Sequence, residues 1–113
     1  METALVGLGA AVGAVTRYAV GSLLDSTTFP WATLIVNVAG SFLLGITLMA
    51  GLNSHIQLAV GVGFCGAFTT FSSFSFQTVT LWERGDRVGA VTSAAGNLGF
   101  SLLGFGLAGV LVA

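Results

Sequence analysis

Four apolar runs, each of about twenty residues or more, take up almost the whole of this 113-residue sequence. They extend over about residues 4–24, 31–52, 56–82 and 88–113, and short polar segments connect them. A helix needs about 20 apolar residues to cross the hydrocarbon core of a bilayer. Only 6% of the residues are charged, against roughly 25% in an average soluble domain. The sequence therefore predicts an all-α, multi-pass membrane protein, with a single transmembrane domain (1–113) of four spans.

The few ionisable side chains exclude several classes of function. They are Glu2, Arg17, Asp25, His55, Glu83, Arg84, Asp86 and Arg87. Without lysine, the chain lacks the basic surface that nucleic acid binding requires. One histidine, one cysteine and no acid inside a span leave no general base, no activated nucleophile and no set of zinc ligands. An enzyme is therefore not expected, and we interpret His55 and the cluster 83–87 as solvated loop residues.

The third span contains a stretch whose composition does not favour a continuous helix. Residues 61–75 have the sequence GVGFCGAFTTFSSFS, in which three glycines precede closely spaced hydroxyl residues. Glycine costs about 1 kcal/mol relative to alanine inside a helix, and threonine is also a weak helix former. We therefore predict a break near residues 66–70. Freed carbonyls are tolerated at membrane depth only where they line a cavity or meet protein, so this break is the candidate site for an ion or small polar solute.

Two polar residues inside the first two spans each have two interpretations. Arg17 shares a face of the first span with small residues, and it either snorkels to the interface or acts as a buried donor or vestibule charge that attracts an anion. Asn37 in the second span is either an ordinary interhelical hydrogen-bonding residue or a donor that lines a pore. The sequence alone leaves both pairs of alternatives open.

The last two spans contain similar candidates. Phe71 and Phe74 are three residues apart and share a helix face, which either contacts lipid or presents the positive ring edges to an anion. Asn97 and Ser101 belong to a stripe of small and polar residues in the fourth span. This stripe either packs against another helix or lines a polar path.

The residues that remain favour transport of a small anion that accepts hydrogen bonds. Hydroxyl and amide donors, aromatic edges and one arginine suit such an ion. They suit a proton-coupled cation exporter poorly, because those proteins rely on an embedded carboxylate. The alternatives are a small multidrug or cation exporter of similar size, and a non-conducting membrane assembly protein. Four thin helices hardly enclose a pore alone, so we expect an oligomer, and the arginine distribution predicts the termini outside without excluding the opposite orientation.

Three motifs resemble those of the CrcB/Fluc family of fluoride channels. They are GAAVGAVTRY at 9–18, TLIVNVAGSF at 33–42 and GFCGAFTTFSSFS at 63–75, and the fourth span matches loosely, through Asn97 and Ser101. Ser73 stands where the family usually has threonine, and Ala32 and Ala67 stand where glycine is frequent. The match covers nearly the whole chain in size, number of spans and order of motifs.

The resemblance implies a passive, fluoride-selective channel of the cell membrane that exports fluoride from the cytoplasm and so reduces its toxicity. It implies an antiparallel, dual-topology dimer, either of two copies or with a paralogue of opposite orientation, in contact with membrane lipid. A structural sodium ion would lie at the two-fold axis, held by the backbone carbonyls of Gly66 and Thr69. The fluoride path would contain Asn37, Phe71, Ser72, Ser73 and Phe74. Arg17 would belong to the vestibule.

Overall fold

A computed structural model of the protein describes residues 1–24 and 28–112, and within them every regular element is a helix. The elements are α1 (Glu2–Leu23), α2 (Trp31–Met49), α3 (Ser54–Ile56), a π-helix (Gln57–Cys65), α4 (Gly66–Phe68), α5 (Phe71–Glu83) and α6 (Arg87–Val112). Asp25, in the first predicted loop, and Ala113, at the end of the fourth predicted span, lie outside the described residues.

Four helical segments are long and apolar enough to cross a bilayer, namely α1, α2, Ser54–Glu83 and α6. The described chain is 47 Å long, close to the thickness of about 40–45 Å of a bilayer with its headgroups. The prediction of an all-helical, multi-pass membrane protein is therefore confirmed. The shortest dimension is 20 Å, about the width of two helices with their side chains.

The turns between helices follow from glycines and from short polar side chains. Gly51 (φ 70°) and Gly85 (φ 87°) adopt positive φ angles, which side chains with a Cβ rarely do. The amide of Ile56 then donates to Asn53 Oδ1 at 3.0 Å, and the amide of Gly89 donates to Asp86 Oδ1 at 2.8 Å. Both side chains cap orphan N–H groups of the following helix, so the connections before α3 and α6 are set locally.

Helix α1 packs against the π-helix with the two backbones in direct contact. A Cβ atom at Gly9 would overlap the carbonyl oxygen of Ala59, and one at Gly13 would overlap that of Phe64. The described chain places no atom within 4 Å of the same position at Gly21. The small-residue face of α1 is thus a packing surface over part of its length, and it requires glycine at the two contact points.

The third span changes its helix type and then contains two extended residues. The π-helix is wider than an α-helix because its hydrogen bonds join residues five apart, and nothing in the sequence predicted it. Helix α4 ends at Phe68, and the backbone is extended at Thr69 (φ −79°, ψ 159°) and Thr70 (φ −149°, ψ 117°). Helix α5 begins at Phe71. We call these two extended residues the 69–70 linker.

The described core lies where α2 and α5 pack on α6. Its most buried side chains include Val36, Thr47, Leu81, Ser93, Asn97 and Ala108. Many large apolar side chains of α1 and α6 point outwards, among them Leu8, Val15, Leu102 and Leu103. Such outer faces suit lipid or another membrane helix, whereas the polar groups of the core must bond to each other.

Candidate functional site

The amide of Asn37, on α2, pairs with the backbone of the 69–70 linker. Thr70 N donates to Asn37 Oδ1 at 2.8 Å, and Asn37 Nδ2 donates to the carbonyl oxygen of Thr70 at 3.1 Å. A side-chain amide thus replaces the partners that a neighbouring strand or a helical turn would supply. Since an unpaired buried backbone group costs about 1–3 kcal/mol, Asn37 stabilises the extended linker inside the membrane.

The same amide continues into a chain of hydrogen bonds that joins α2, α5 and α6. Asn37 Nδ2 donates to Asn97 Oδ1 at 2.7 Å, and Asn97 Nδ2 donates to the carbonyl oxygen of Ser93 at 2.8 Å. The hydroxyl of Ser93 lies 2.9 Å from that of Thr78. In the described residues every buried side-chain nitrogen and oxygen has a hydrogen-bond partner. Both N–H groups of Asn37 are therefore in use.

The linker also frees backbone carbonyls. Thr70 N donates to Asn37 and not to the carbonyl of Gly66, its partner in a regular helix. Ser73 N donates to Thr70 Oγ1 at 3.2 Å, which caps α5, and not to the carbonyl of Thr69. The oxygens of Gly66 and Thr69, the pair that the resemblance implies for sodium, are thus available to another ligand.

A large open groove runs beside the linker. Its volume is about 1040 Å³. Seven of the predicted site residues line it: Asn37, Gly66, Thr69, Phe71, Phe74, Asn97 and Ser101. The rings of Phe71 and Phe74 lie 5.8 Å apart between centroids and are tilted by 54°, and Phe71 is 79% exposed. We call this surface the phenylalanine groove, and it brings ring edges, carbonyls and hydroxyls to one wall.

A second, smaller cavity of about 300 Å³ lies between α1, the beginning of α2 and the beginning of α5. Its lining includes Arg17, Thr33, Thr70, Ser73 and Gln77. The hydroxyl of Thr33 donates to Gln77 Oε1 at 2.6 Å, so the amide nitrogen of Gln77 remains available to the cavity. We call this the arginine cavity. Thr70 lines both this cavity and the phenylalanine groove, so the linker contacts both spaces.

The structure therefore divides the predicted site residues between two spaces. Ser73 belongs with Arg17, apart from the phenylalanine rings. Ser72 is exposed, with its hydroxyl 3.5 Å from that of Thr70, and lines neither the groove nor the arginine cavity among the described residues. In residues 1–24 and 28–112 no three histidine, cysteine or acidic side chains are grouped to hold a metal ion.

Sequence reasoning missed several residues of this site. Thr70, Thr33, Gln77, Ser93 and Thr78 all take part in its hydrogen bonds. A signal existed for Gln77, which is an amide in an apolar span one helical turn beyond Ser73. A signal also existed for Ser93, which has the four-residue spacing of the stripe that contains Asn97 and Ser101. No comparable signal distinguished Thr78 from ordinary hydroxyl residues of membrane helices.

The fold and the site define a class: a small four-span membrane protein with a cluster of uncharged polar groups between its helices. Residues 4–110 match the family described as CrcB-like protein, Camphor Resistance (CrcB), and the chain belongs to this family.

Several named proteins resemble the chain along nearly their whole length. Fluoride-specific ion channel FluC 2 of Haloarcula marismortui is 51% identical over 104 residues, which cover 92% of this chain and 87% of that protein. FluC 2 of Natronomonas pharaonis is 49% identical over 98 residues, covering 87% and 83%. Fluoride-specific ion channel FluC of Thermus thermophilus is 42% identical over 119 residues, covering 96% and 95%. All three are named as ion channels, and none is named as an enzyme.

Proposed function

We propose that this protein is a passive, fluoride-selective ion channel that lets fluoride leave the cytoplasm across the cell membrane. The observation that carries the proposal is the 51% identity, over 92% of the chain, to a protein named as a fluoride-specific ion channel. The chemistry of the site supports it. The polar groups near the linker are amides, hydroxyls and carbonyls, while Glu2, Glu83 and Asp86 lie at or beside helix ends. One acidic residue, Glu2 in the first turn of α1, is among those that line the phenylalanine groove. None of the described acidic residues lies in the interior of a span, which suits a proton-coupled cation exporter poorly.

The fluoride path in this proposal runs along the phenylalanine groove. Phe71 and Phe74 on α5 offer positive ring edges, and Ser101 on α6 lines the same groove. Ser72, which is exposed on α5 beside Phe71, is proposed to donate to the anion from outside this lining. Asn37 contributes the amide that also holds Thr70, so an approaching anion competes for one of its protons. The arginine cavity is the proposed vestibule, where Arg17 attracts fluoride and Ser73 donates a hydrogen bond.

The phenylalanine groove is open, so we also propose that a second copy of the chain covers it in the opposite orientation. A unit only 20 Å thick has no room to surround a path, whereas two units facing each other enclose one. Residues 31–49 and 87–112, which border the groove, present small residues to a partner, and such residues favour close helix contacts in membranes. A paralogue of opposite orientation would complete the groove in the same way.

A structural sodium ion fits this arrangement. Hard cations prefer oxygen ligands, and the 69–70 linker leaves the carbonyl oxygens of Gly66 and Thr69 without their helical partners. Both residues line the face that the second copy would cover. Two chains would thus supply four carbonyl oxygens. The sodium ion would hold the two linkers together, and its charge would remain shielded from the membrane.

Liposomes that contain the purified chain are expected to release fluoride, measured with a fluoride electrode, much faster than empty liposomes. Chloride release from the same liposomes should stay at the empty-liposome rate. As a control, the solubilised protein should have about twice the 11.4 kDa mass of one chain. Fluoride release no faster than from empty liposomes, by a protein shown to be a folded dimer, would contradict the proposed channel.

Sodium is expected to raise the temperature at which the solubilised protein unfolds. A ligand that binds only the folded state stabilises it in proportion to the logarithm of its concentration. The comparison is between sodium chloride and N-methyl-D-glucamine chloride at equal ionic strength, followed by light scattering or circular dichroism. Equal unfolding temperatures over a wide range of sodium concentrations would contradict the proposed sodium site. The efflux experiment would still test fluoride transport on its own.

A further inference from the structure

The pairing between α2 and α6 assigns a distinct role to Asn97. We propose that Asn97 is a positioning residue: by accepting one Nδ2 proton of Asn37, it fixes the amide that holds both backbone groups of Thr70. The expected effect of Asn97 on fluoride transport rests on the proposed function. The contact between Asn97 and Asn37 is independent of that function, because it is a property of the hydrogen-bond geometry alone.

The orientation of the Asn37 and Asn97 amides is fixed by the backbone groups at the two ends of this series of hydrogen bonds, Thr70 N and the carbonyl oxygen of Ser93. Thr70 N is only a donor, so Asn37 must turn its oxygen towards it, at 2.8 Å. The Nδ2 group of Asn37 then faces Asn97, which must present its own oxygen, at 2.7 Å. Asn97 Nδ2 is left facing the carbonyl oxygen of Ser93, which is only an acceptor, at 2.8 Å. A flip of either amide would place donors against donors or acceptors against acceptors.

Burial makes this constraint strong. Asn97 is 5% exposed and Ser93 is fully buried, so leaving a polar atom of either without a partner is costly. Asn97 lies on α6, and its oxygen is committed to Asn37 and its nitrogen to its own helix. Through the bond from Asn37 Nδ2 to its oxygen, Asn97 acts on the 69–70 linker by way of Asn37. Its second N–H group donates no hydrogen bond within the described residues.

Selective isotope labelling tests the contact directly, because the sequence has three asparagines: Asn37, Asn53 and Asn97. Protein labelled with ¹⁵N at asparagine should give three side-chain NH₂ signals. In the Asn97→Ala variant one signal disappears, the Asn37 signal shifts and its protons exchange faster, and the Asn53 signal stays in place. The Thr92→Val variant is the control, since the hydroxyl of Thr92 is exposed and bonds to the carbonyl of Val88 in its own helix. An Asn37 signal that does not move in Asn97→Ala would overturn the proposal.

Fluoride efflux gives the second measurement. Asn97→Ala should slow efflux about fivefold, which is about 1 kcal/mol, the usual contribution of one hydrogen bond. In a chain that already carries Asn37→Ser, the same substitution should add nothing. If the two effects multiply, Asn97 acts on the anion independently of Asn37 and the proposal is wrong. Should the wild-type protein carry no fluoride, the proposed function fails, and the NMR shift alone decides the role of Asn97.

Discussion

Exchanging Asn37 for aspartate is expected to slow fluoride efflux about a hundredfold, since two hydrogen bonds of roughly 1.5 kcal/mol each are lost. The carboxylate has nearly the same shape as the amide and still accepts from Thr70 N. Its second oxygen, however, takes the place of Nδ2 and faces two acceptors, the carbonyl oxygen of Thr70 and Oδ1 of Asn97. The linker then loses its fixed position, and a negative charge lies beside the proposed anion path.

A matched control exists for this substitution in the same chain. Asn53 caps α3 by accepting from Ile56 N at 3.0 Å, in an exposed loop. Aspartate is as good a capping residue as asparagine, so Asn53→Asp should transport fluoride at close to the wild-type rate. Both variants would be reconstituted at equal protein content and compared by initial efflux rate. If the Asn37→Asp variant released fluoride at the wild-type rate, the Asn37 amide would have no role in transport and the prediction would be wrong.

Alanine at Gly9 or Gly13 is expected to destabilise the fold by about 1–3 kcal/mol, as overpacking of a close contact usually does. The added Cβ atoms would overlap the carbonyl oxygens of Ala59 and Phe64, which belong to the backbone of the π-helix and cannot rotate away. Helix α1 would have to separate from the third span. The unfolding temperature of the solubilised protein should fall, and a larger share should elute as aggregate in size-exclusion chromatography.

Gly7→Ala and Gly21→Ala are the controls for this prediction, because the described chain has no atom within 4 Å of either new Cβ. Alanine is favoured over glycine inside a helix by about 1 kcal/mol, so these two variants should be unchanged or slightly more stable. The same chemical change in one helix thus has opposite expected signs. If Gly13→Ala were as stable as Gly21→Ala, the backbone contact between α1 and the π-helix would be refuted.

The parts of the fold that depend on local sequence were predictable. Hydropathy is a local property, so the four apolar runs identified the membrane-crossing helices. Residues 66–70 drew attention because glycine and threonine form helices poorly, and extended dihedral angles occur there at Thr69 and Thr70. The polar residues of the spans were recognisable as candidates for the same reason, since each is costly in an apolar environment without a partner.

The pairing of those candidates was not predictable from local sequence. Asn37 and Asn97 are 60 residues apart, and their contact depends on how α2 packs along α6. Thr33 and Gln77 meet through the packing of α2 on α5 in the same way. The separation of Ser73 from the phenylalanine rings, in contrast, follows from local helix periodicity, because Phe71 and Phe74 share a face of α5 and Ser73 lies on another. The π-helix has no signature in the residues that form it.

The backbone contact at Gly9 and Gly13 has a mechanical consequence. Where carbonyl groups meet Cα atoms directly, no compressible layer of side chains lies between the two helices. Helix α1 and the π-helix therefore shift together as a single stiff rod. The two helices run in the same direction, so Arg17, four residues beyond Gly13, lies at the end of this rod that leads through α4 to Thr69. A displacement of the 69–70 linker thus moves the guanidinium group of Arg17 with it. The position of this charge in the arginine cavity therefore depends on the position of the linker, which also borders the phenylalanine groove.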